Sequence, residues 1–209
     1  MLLKKELSEY NRYQAFATHM AISLVIFFIL LACITQLWYP GILFDTGNGW
    51  KAIMMIVGID LILGPLLTLI VFNPKKSSLK FDLSIIALIQ IAALIYGTWT
   101  IHHTRPVAIA FVYNNFITIF ANSEIGEQIN TKTKELQSRE LFYVFEDDSQ
   151  RKELNPQNFE AYDNYANQIP SLNSPYKQGN LINIDPIISM ERLIKIDPST
   201  GHIIGFEKK

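Results

Sequence analysis

The sequence contains a single cysteine, Cys33, and no obvious catalytic motif. One thiol allows no intramolecular disulfide, so a disulfide-dense extracellular module is excluded. The sequence also has no G-x-S-x-G, H-E-x-x-H, phosphate-binding glycine loop or Cys-x-x-Cys motif. We therefore predict that the protein is not an enzyme, that it has no catalytic residues or metal site, and that it needs no cofactor.

Charged residues are scarce in the first half of the chain. Residues 1–104 carry twelve charged side chains, whereas residues 105–209 carry twenty-five. This asymmetry predicts a membrane anchor followed by a water-compatible domain. The second half holds eleven basic and fourteen acidic residues, a formal charge of −3, which argues against a nucleic-acid partner because binding to phosphates requires an excess of basic side chains.

Three apolar runs have the length of membrane-spanning helices, since about 20 helical residues cross roughly 30 Å of hydrocarbon. They are residues 20–39, 52–72 and 83–101. The first run is too long for a signal peptide, and nineteen residues precede it, so we expect it to remain as a helix. The predicted domains are a cytoplasmic segment (1–19), a three-helix transmembrane domain (20–104) with a cytoplasmic loop (73–82), and an exported domain (105–209).

The positions of basic residues predict the orientation in the lipid bilayer. Six lie on one side of the predicted spans: Lys4, Lys5, Arg12, Lys75, Lys76 and Lys80. Only Lys51 and Arg105 flank the other side at short range. Basic residues accumulate on the cytoplasmic side of a membrane. We therefore predict that the N terminus and the loop over residues 73–82, here called the lysine loop, are cytoplasmic. Residues 105–209 are predicted to lie on the opposite side of the membrane.

Asp60 is the most unusual residue of the second span. A carboxylate at mid-membrane costs about 2.5–3.5 kcal/mol on insertion scales, which the flanking leucines and isoleucines can offset. The side chain must still face protein. Pairing the second and third spans antiparallel, with Phe72 opposite Leu83, places Asp60 level with residues 94–96. We therefore predict Tyr96 as its hydrogen-bond donor.

Four further polar or helix-breaking residues accompany Asp60 in these spans. Pro65 lacks an amide hydrogen and frees the carbonyl of Leu61, which Gln90 or Thr68 can satisfy. Gly64 allows close approach of a neighbouring helix. Together these residues have three possible roles: to bend and hold a three-helix anchor, to dock another transmembrane helix, or to relay protons.

The same stretch resembles a known family. The segment "GIDLILGPLLTLIVFNPKKSSLKFDLSIIALIQIAALIYGTWTI", residues 58–101, closely resembles the membrane segment of bacterial type IV pilin accessory proteins, the TfpZ-like group. The shared features are Gly58, Asp60, Gly64, Pro65, Thr68, Pro74, Lys76, Ser78, Leu79, Asp82, Leu83, Gln90, Ala93, Leu94, Tyr96, Gly97 and Arg105-Pro106-Val107.

The resemblance implies a protein of the bacterial inner membrane with a periplasmic C-terminal domain. Its implied function is that of an accessory factor or chaperone that binds the membrane-stored type IV major pilin and assists pilus assembly or surface display. The pilus assembly machinery is a further implied partner. Two other functions stay open: an envelope sensor that binds a ligand through its periplasmic domain, and a membrane enzyme using His102, His103 and Asp45.

The exported half has the pattern of a small α+β domain. Two β-branched and aromatic runs flank Asn114-Asn115 and predict a hairpin, either buried under a helix or exposed as an edge for an extended pilin segment. We also predict a helix capped by Ser123, a strand over 140–147, a helix from Asn155, a mobile loop over 170–180 and a last hairpin in the sheet over 192–209.

Overall fold

The computed structural model describes residues 10–112, 115–145, 154–171, 177–178, 181–183, 192–197 and 199–208. The chain divides into two compact units. The membrane unit comprises Met1–Leu37 and Asn48–His102, and the soluble unit comprises Trp38–Gly47 and His103–Lys209. Residues 38–47, predicted to form the end of the first span and part of the connection to the second, belong to the soluble unit because Leu43 is fully buried in its core.

Long apolar helices dominate the first half. The helices of this half are α1 (Arg12–Trp38), α2 (Ile42–Thr46), α3 (Gly49–Val71) and α4 (Leu79–His103). By length and composition, α1, α3 and α4 could each cross a membrane, and each begins between three and eight residues before the span predicted for it. The chain is therefore a three-helix membrane anchor followed by a small α+β domain, as the sequence predicts.

Helix α1 begins eight residues before the predicted span because Asn11 caps it. The Asn11 side chain accepts a hydrogen bond from the Gln14 amide at 2.9 Å, and the Gln14 side chain accepts one from the Asn11 amide at 2.9 Å. This reciprocal capping box satisfies two amides that a helix start leaves without partners. The helix runs for 27 residues, or about 40 Å.

Helix α3 is irregular in its middle. Its residues Gly49–Ile56 are α-helical, Val57–Leu63 form a π-helix, and Gly64–Val71 return to the α-helical form. Pro65 lies in the first turn of the last segment, where its missing amide hydrogen costs little. The irregularity that the sequence predicts at Pro65 is therefore a π-helical segment that precedes the proline and includes Asp60.

The lysine loop ends at the start of α4. Lys76 and Asp82 form an ion pair of 2.5 Å, and Asp82 lies in the first helical turn. An acidic residue there also interacts favourably with the positive end of the helix dipole. Lys75, Lys76 and Lys80 are all exposed.

The soluble unit contains two four-stranded sheets. Its elements after α4 are β1 (Pro106–Val112), β2 (Asn115–Phe120), α5 (Gly126–Leu136), β3 (Glu140–Tyr143), β4 (Phe159–Ala161), β5 (Lys177–Gln178), β6 (Leu181–Asn183), β7 (Arg192–Ile196) and β8 (Ile203–Lys208). The first sheet has the order β2-β1-β3-β4, with β1 and β3 parallel, and the second has the order β5-β6-β7-β8.

Strand β1 is buried along its whole length because both faces of its sheet are covered. Ile109 and Phe111 face a core shared with β7, whereas Ala108 and Ala110 face a core that includes Ile129 of α5. The antiparallel pairing of β1 with β2 confirms the predicted hairpin. Asn115, predicted to lie in the turn, is the first residue of β2 and pairs with Val112, and residues 113–114 lie outside the described residues. Of the two predicted alternatives, burial holds for β1, whereas β2 lies at the edge of the first sheet.

The helix predicted to begin at Ser123 forms, but with a different first residue and no side-chain cap. The helix forms as α5, but Ser123 does not cap it; the Ser123 hydroxyl donates to the Phe120 carbonyl at 2.6 Å. The predicted strand over 140–147 ends at Tyr143, and residues 146–147 lie outside the described residues.

The predicted helix from Asn155 is wrong. Asn155 does cap, accepting from the Gln157 amide at 3.0 Å, but it begins a single 3₁₀ turn. Strand β4 follows directly and pairs with β3. Two further 3₁₀ segments then bury Tyr162, Ala166 and Ile169. Pairing with β3 satisfies backbone groups that a longer helix would have satisfied internally, so tertiary contacts override the local helix pattern.

The last hairpin forms, but in the second sheet. Strands β7 and β8 are antiparallel, and Gly201 between them has a φ of 76°, which favours glycine. The sequence predicts this hairpin as part of a single sheet, whereas the described residues form two sheets and the hairpin lies in the second. Of the loop predicted over 170–180, residues 177–178 form β5, and residues 172–176 and 179–180 lie outside the described residues.

Glu140, on β3, should make the stability of the soluble unit depend on pH. Burial raises the pKa of Glu140 above its ordinary 4.5, the Asp163 charge raises it further, and His202 lowers it. A raised folded-state pKa stabilises the fold fully below pH 4.5, and this contribution is lost as pH rises through the folded pKa. We expect Glu140→Gln to raise the urea midpoint at pH 7.5 more than at pH 5.

The matched control for this pH dependence is Glu127→Gln, which removes an exposed carboxylate from α5. The urea midpoint of each variant is measured on the full chain in detergent, with protease sensitivity of the soluble unit as the signal for unfolding. Equal midpoint changes at the two pH values for Glu140→Gln would contradict the expected role of Glu140.

Candidate helix-docking groove in the membrane unit

A groove of about 600 Å³ lies between the three long helices of the membrane unit. Its walls are mostly apolar, with a small group of polar side chains among them. The lining residues are Tyr10, Ala15, Thr18, His19, Ile22, Ser23, Ile26, Asp60, Thr68, Phe72, Leu83, Ile86, Ala87, Gln90, Ile91 and Leu94. The groove thus contains three of the sequence-predicted residues, Asp60, Thr68 and Gln90.

The buried residues of these helices are unusually polar. In the fully described stretch Arg12–Ala32, Ser23 is the one buried residue. Asp60, Thr68 and Gln90 are buried as well, whereas large apolar side chains of the same helices are exposed. Buried polar side chains beside many exposed large apolar ones are uncommon in a water-soluble protein. This distribution is typical of membrane helices, whose polar side chains turn towards one another and away from lipid.

Asp60 is the centre of the polar group. Its Oδ1 accepts a long hydrogen bond of 3.5 Å from Nε2 of Gln90, and Ser23 of α1 lies beside the same carboxylate. Residues from α1, α3 and α4 therefore meet at a single carboxylate. Its other oxygen, Oδ2, is buried and has no hydrogen-bond partner among the described residues.

Gly64 provides the space for Gln90. A Cβ added at Gly64 would overlap Nε2 of Gln90 and would lie 2.6 Å from its Cδ. The Gln90 amide therefore lies directly on the α3 backbone, one turn after Asp60. The group that lies against Gly64 is a side chain of α4, and it is the donor to Asp60.

Tyr96 does not approach Asp60, contrary to the prediction. Its side chain is 68% exposed, and its ring contacts that of Trp99 with the centroids 6.3 Å apart. The hydrogen bond predicted from Tyr96 is made by Gln90, which lies less than two turns earlier on α4.

His19 is a polar residue of the groove that sequence reasoning missed. Its Nδ1 and the Thr68 hydroxyl are 2.6 Å apart, which is hydrogen-bond distance, so this pair links α1 to α3. The first predicted span begins at residue 20, so the prediction leaves His19 in the cytoplasmic segment. Its spacing of four residues from Ser23 places both on one helix face, and that spacing was the available signal.

Within the parts of the chain that the structure describes, no group of three His, Cys, Asp or Glu side chains is placed to hold a metal ion. Cys33 is a free, half-buried thiol in the π-helical end of α1. The groove is defined by its apolar walls and by the hydrogen bonds among its polar side chains.

Three curated proteins of Dichelobacter nodosus are similar to the chain. The fimbrial assembly protein of serogroups C1 and C2 is 37% identical over 109 residues, which cover 51% of this chain and 82% of that protein. The fimbrial assembly protein of serogroup I is 39% identical over 95 residues, which cover 44% of this chain and 37% of that protein. The fimbrial assembly protein of serogroup E1 is 37% identical over 109 residues, which cover 51% of this chain and 42% of that protein.

The chain thus spans less than half the length of the serogroup I and E1 relatives. No family model and no solved structure matches the chain. The relative of serogroups C1 and C2 is matched over most of its own length at 37% identity. On that similarity, the chain belongs to the family of fimbrial assembly proteins.

Proposed function

We propose that the protein is a TfpZ-like accessory factor for type IV pilus biogenesis that binds membrane-stored pilin and assists its assembly or surface display. The role is that of a chaperone and not of an enzyme. The observation that carries the proposal is the groove between the three membrane helices, with a buried carboxylate among its apolar walls. The relatives named fimbrial assembly proteins supply the process in which such a groove would act.

The protein acts in the bacterial inner membrane, with its N terminus and lysine loop in the cytoplasm and its soluble unit in the periplasm. The exposed Lys75, Lys76 and Lys80 support this orientation. In a Cys33→Ala background, Ser199→Cys should react with a membrane-impermeant maleimide in cells with a permeabilised outer membrane, whereas Ser78→Cys should react only after cell lysis. Labelling of Ser78→Cys before lysis would overturn the orientation.

The two units divide the recognition of pilin. The membrane unit contacts the apolar helix of the subunit, and the soluble unit contacts its globular head. The pilus assembly machinery is the destination of the pilin that the protein delivers. Exchange of residues 105–209 with those of a related accessory protein should transfer the preference for one pilin over another, measured by surface pili in cells expressing each pilin.

Deletion of the gene tests the proposed function most directly. We expect the number of surface pili to fall by at least about tenfold while total cellular pilin stays within about twofold, because assembly and not synthesis is assisted. Electron microscopy and shearing of surface pili measure the first quantity, and immunoblotting measures the second. A plasmid copy of the gene is the control. Normal pili after deletion would refute the role in pilus biogenesis.

A further inference from the structure

The groove contains a buried acceptor that has no partner. Asp60 is 5% exposed, and its Oδ2 accepts no hydrogen bond within the described part of the chain. Of the four buried side-chain atoms there without a partner, this oxygen alone belongs to a residue that lines the groove. An unsatisfied buried acceptor is destabilising, and more so when it is charged.

The other polar contacts around Asp60 are already made. Gln90 donates to Oδ1 of Asp60, Thr68 is paired with His19, and Ser23 lies beside the carboxylate without a hydrogen bond to Oδ2. Oδ2 is itself buried, so a donor in the groove would reach it only after rotation of the carboxylate about its broad terminal torsion. The missing donor must therefore come from whatever fills the groove.

The walls and the acceptor together select the kind of occupant. Apolar side chains from all three helices form most of the lining: Ile22, Ile26, Phe72, Leu83, Ile86, Ile91 and Leu94. Such walls suit either an acyl chain or a transmembrane helix. An acyl chain has no hydrogen-bond donor, whereas a helix places a donor side chain at a fixed depth. The acceptor therefore favours a helix.

The depth of the acceptor follows from α3. Asp60 lies twelve residues before Phe72, the last groove residue before the lysine loop, which is roughly 18 Å of helix axis. A donor on a docked helix must lie at a similar distance from the end of that helix on the side of the lysine loop.

We propose that the groove binds a transmembrane helix of the client pilin and that Asp60 accepts a hydrogen bond from a donor side chain of that helix. The donor is a hydroxyl, amide, ammonium or protonated carboxyl group about twelve residues, roughly 18 Å, from the loop-side end of the client helix. This inference rests on the proposed function and specifies how the client is held. Asp60 thereby sets the register of the client along α3.

Photocrosslinking in living cells tests the site of contact. A photoreactive amino acid replaces Ile22 or Ile91, which line the groove, or Val25 or Ile89, which are similarly exposed on the same helices outside it. Captured molecules are identified by mass spectrometry. We expect capture of pilin from Ile22 and Ile91 to exceed capture from Val25 and Ile89 by at least about tenfold.

Substitution of Asp60 tests the hydrogen bond. Asp60→Asn keeps the size of the side chain but replaces one oxygen with a donor, and Asp60→Leu removes both oxygens. We expect each to lower pilin capture from Ile91 about tenfold, equivalent to about 1.4 kcal/mol. Ser84→Ala is the matched control, since it removes an exposed hydroxyl of α4 that donates to the Lys80 carbonyl and should leave capture unchanged.

A reciprocal scan keeps the test decisive if the Asp60 variants are poorly inserted. Each donor of the pilin helix is replaced by leucine in turn, with the accessory protein unchanged. One substitution, about twelve residues from the loop-side end, should lower capture about tenfold, and the others should not.

Several results would overturn the inference while leaving the proposed function intact. These are equal pilin capture from the groove and from Val25 and Ile89, unchanged capture with inserted Asp60→Asn, and phospholipid as the only adduct at Ile22 and Ile91, each combined with pilus loss after gene deletion. Normal pili after deletion would instead refute the proposed function itself.

Discussion

Replacement of Gly64 by alanine should destabilise the membrane unit by about 1–3 kcal/mol, the usual cost of leaving a buried polar group without its hydrogen-bond partner. The added Cβ would overlap the Gln90 amide, which lies on the α3 backbone at this position. The Gln90 side chain must then leave, and Asp60 loses its donor. Unfolding in mixed micelles with increasing dodecyl sulfate, followed by tryptophan fluorescence, measures the free energy of unfolding of the membrane unit.

Gly58→Ala is the matched control for this substitution. Gly58 lies in the same helix, and a Cβ there would have nothing within 4 Å, so its unfolding free energy should change little. In addition, Gly64→Ala should cost almost nothing in a Gln90→Ala background, because the overlapping side chain is already absent. Equal effects of the two glycine substitutions would show that packing at Gly64 is not the cause.

The error over Tyr96 has a simple geometric origin. If Phe72 lies opposite Leu83, residue 95 lies at the same depth in the membrane as Asp60. Helix α4 in fact begins at Leu79, because Asp82 stabilises its first turn through Lys76. With this start, four residues earlier, the α4 residue at the depth of Asp60 is about residue 91, which is next to Gln90. Residue types identified the polar group, but pairing them required the true end of the loop.

The role of His19 was hidden for a related reason. A hydropathy argument begins a span where apolar residues begin, whereas a helix begins where its first amides are capped. The capping box at Asn11 extends α1 far enough to bring His19 to Thr68. The capping residues can be recognised in the sequence. The packing of α1 against α3 through this face depends on tertiary structure, which the local sequence does not show.

In the soluble unit, burial was easier to predict than backbone conformation. The spacing of Phe159, Tyr162, Ala166 and Ile169 in the sequence predicts one apolar helix face, and all four are buried. Their spacing suits a helix, yet Phe159 lies in β4 and faces a different core from the other three. Local spacing shows which side chains avoid water, whereas pairing with β3 decides the path of the backbone.

Gly126→Ala should lower the stability of the soluble unit by about 3 kcal/mol, the upper end of overpacking costs. From the sequence, Gly126 merely weakens a helix, and alanine would be expected to strengthen it by about 1 kcal/mol. In the structure, a Cβ there would overlap the Phe120 carbonyl oxygen and lie 2.6 Å from that of Ala121. These are backbone atoms, so relief requires moving the β2–α5 connection.

The sign of the effect therefore separates a local from a tertiary role for Gly126. Urea unfolding of the full chain in detergent, followed by protease sensitivity of the soluble unit, should give a lower midpoint for Gly126→Ala. Thr131→Ala, at an exposed site of the same helix, should leave the midpoint unchanged or raise it slightly. A raised midpoint for Gly126→Ala would mean that helix propensity outweighs the contact with β2. A lowered midpoint would mean that Gly126 is needed where α5 passes closest to the sheet.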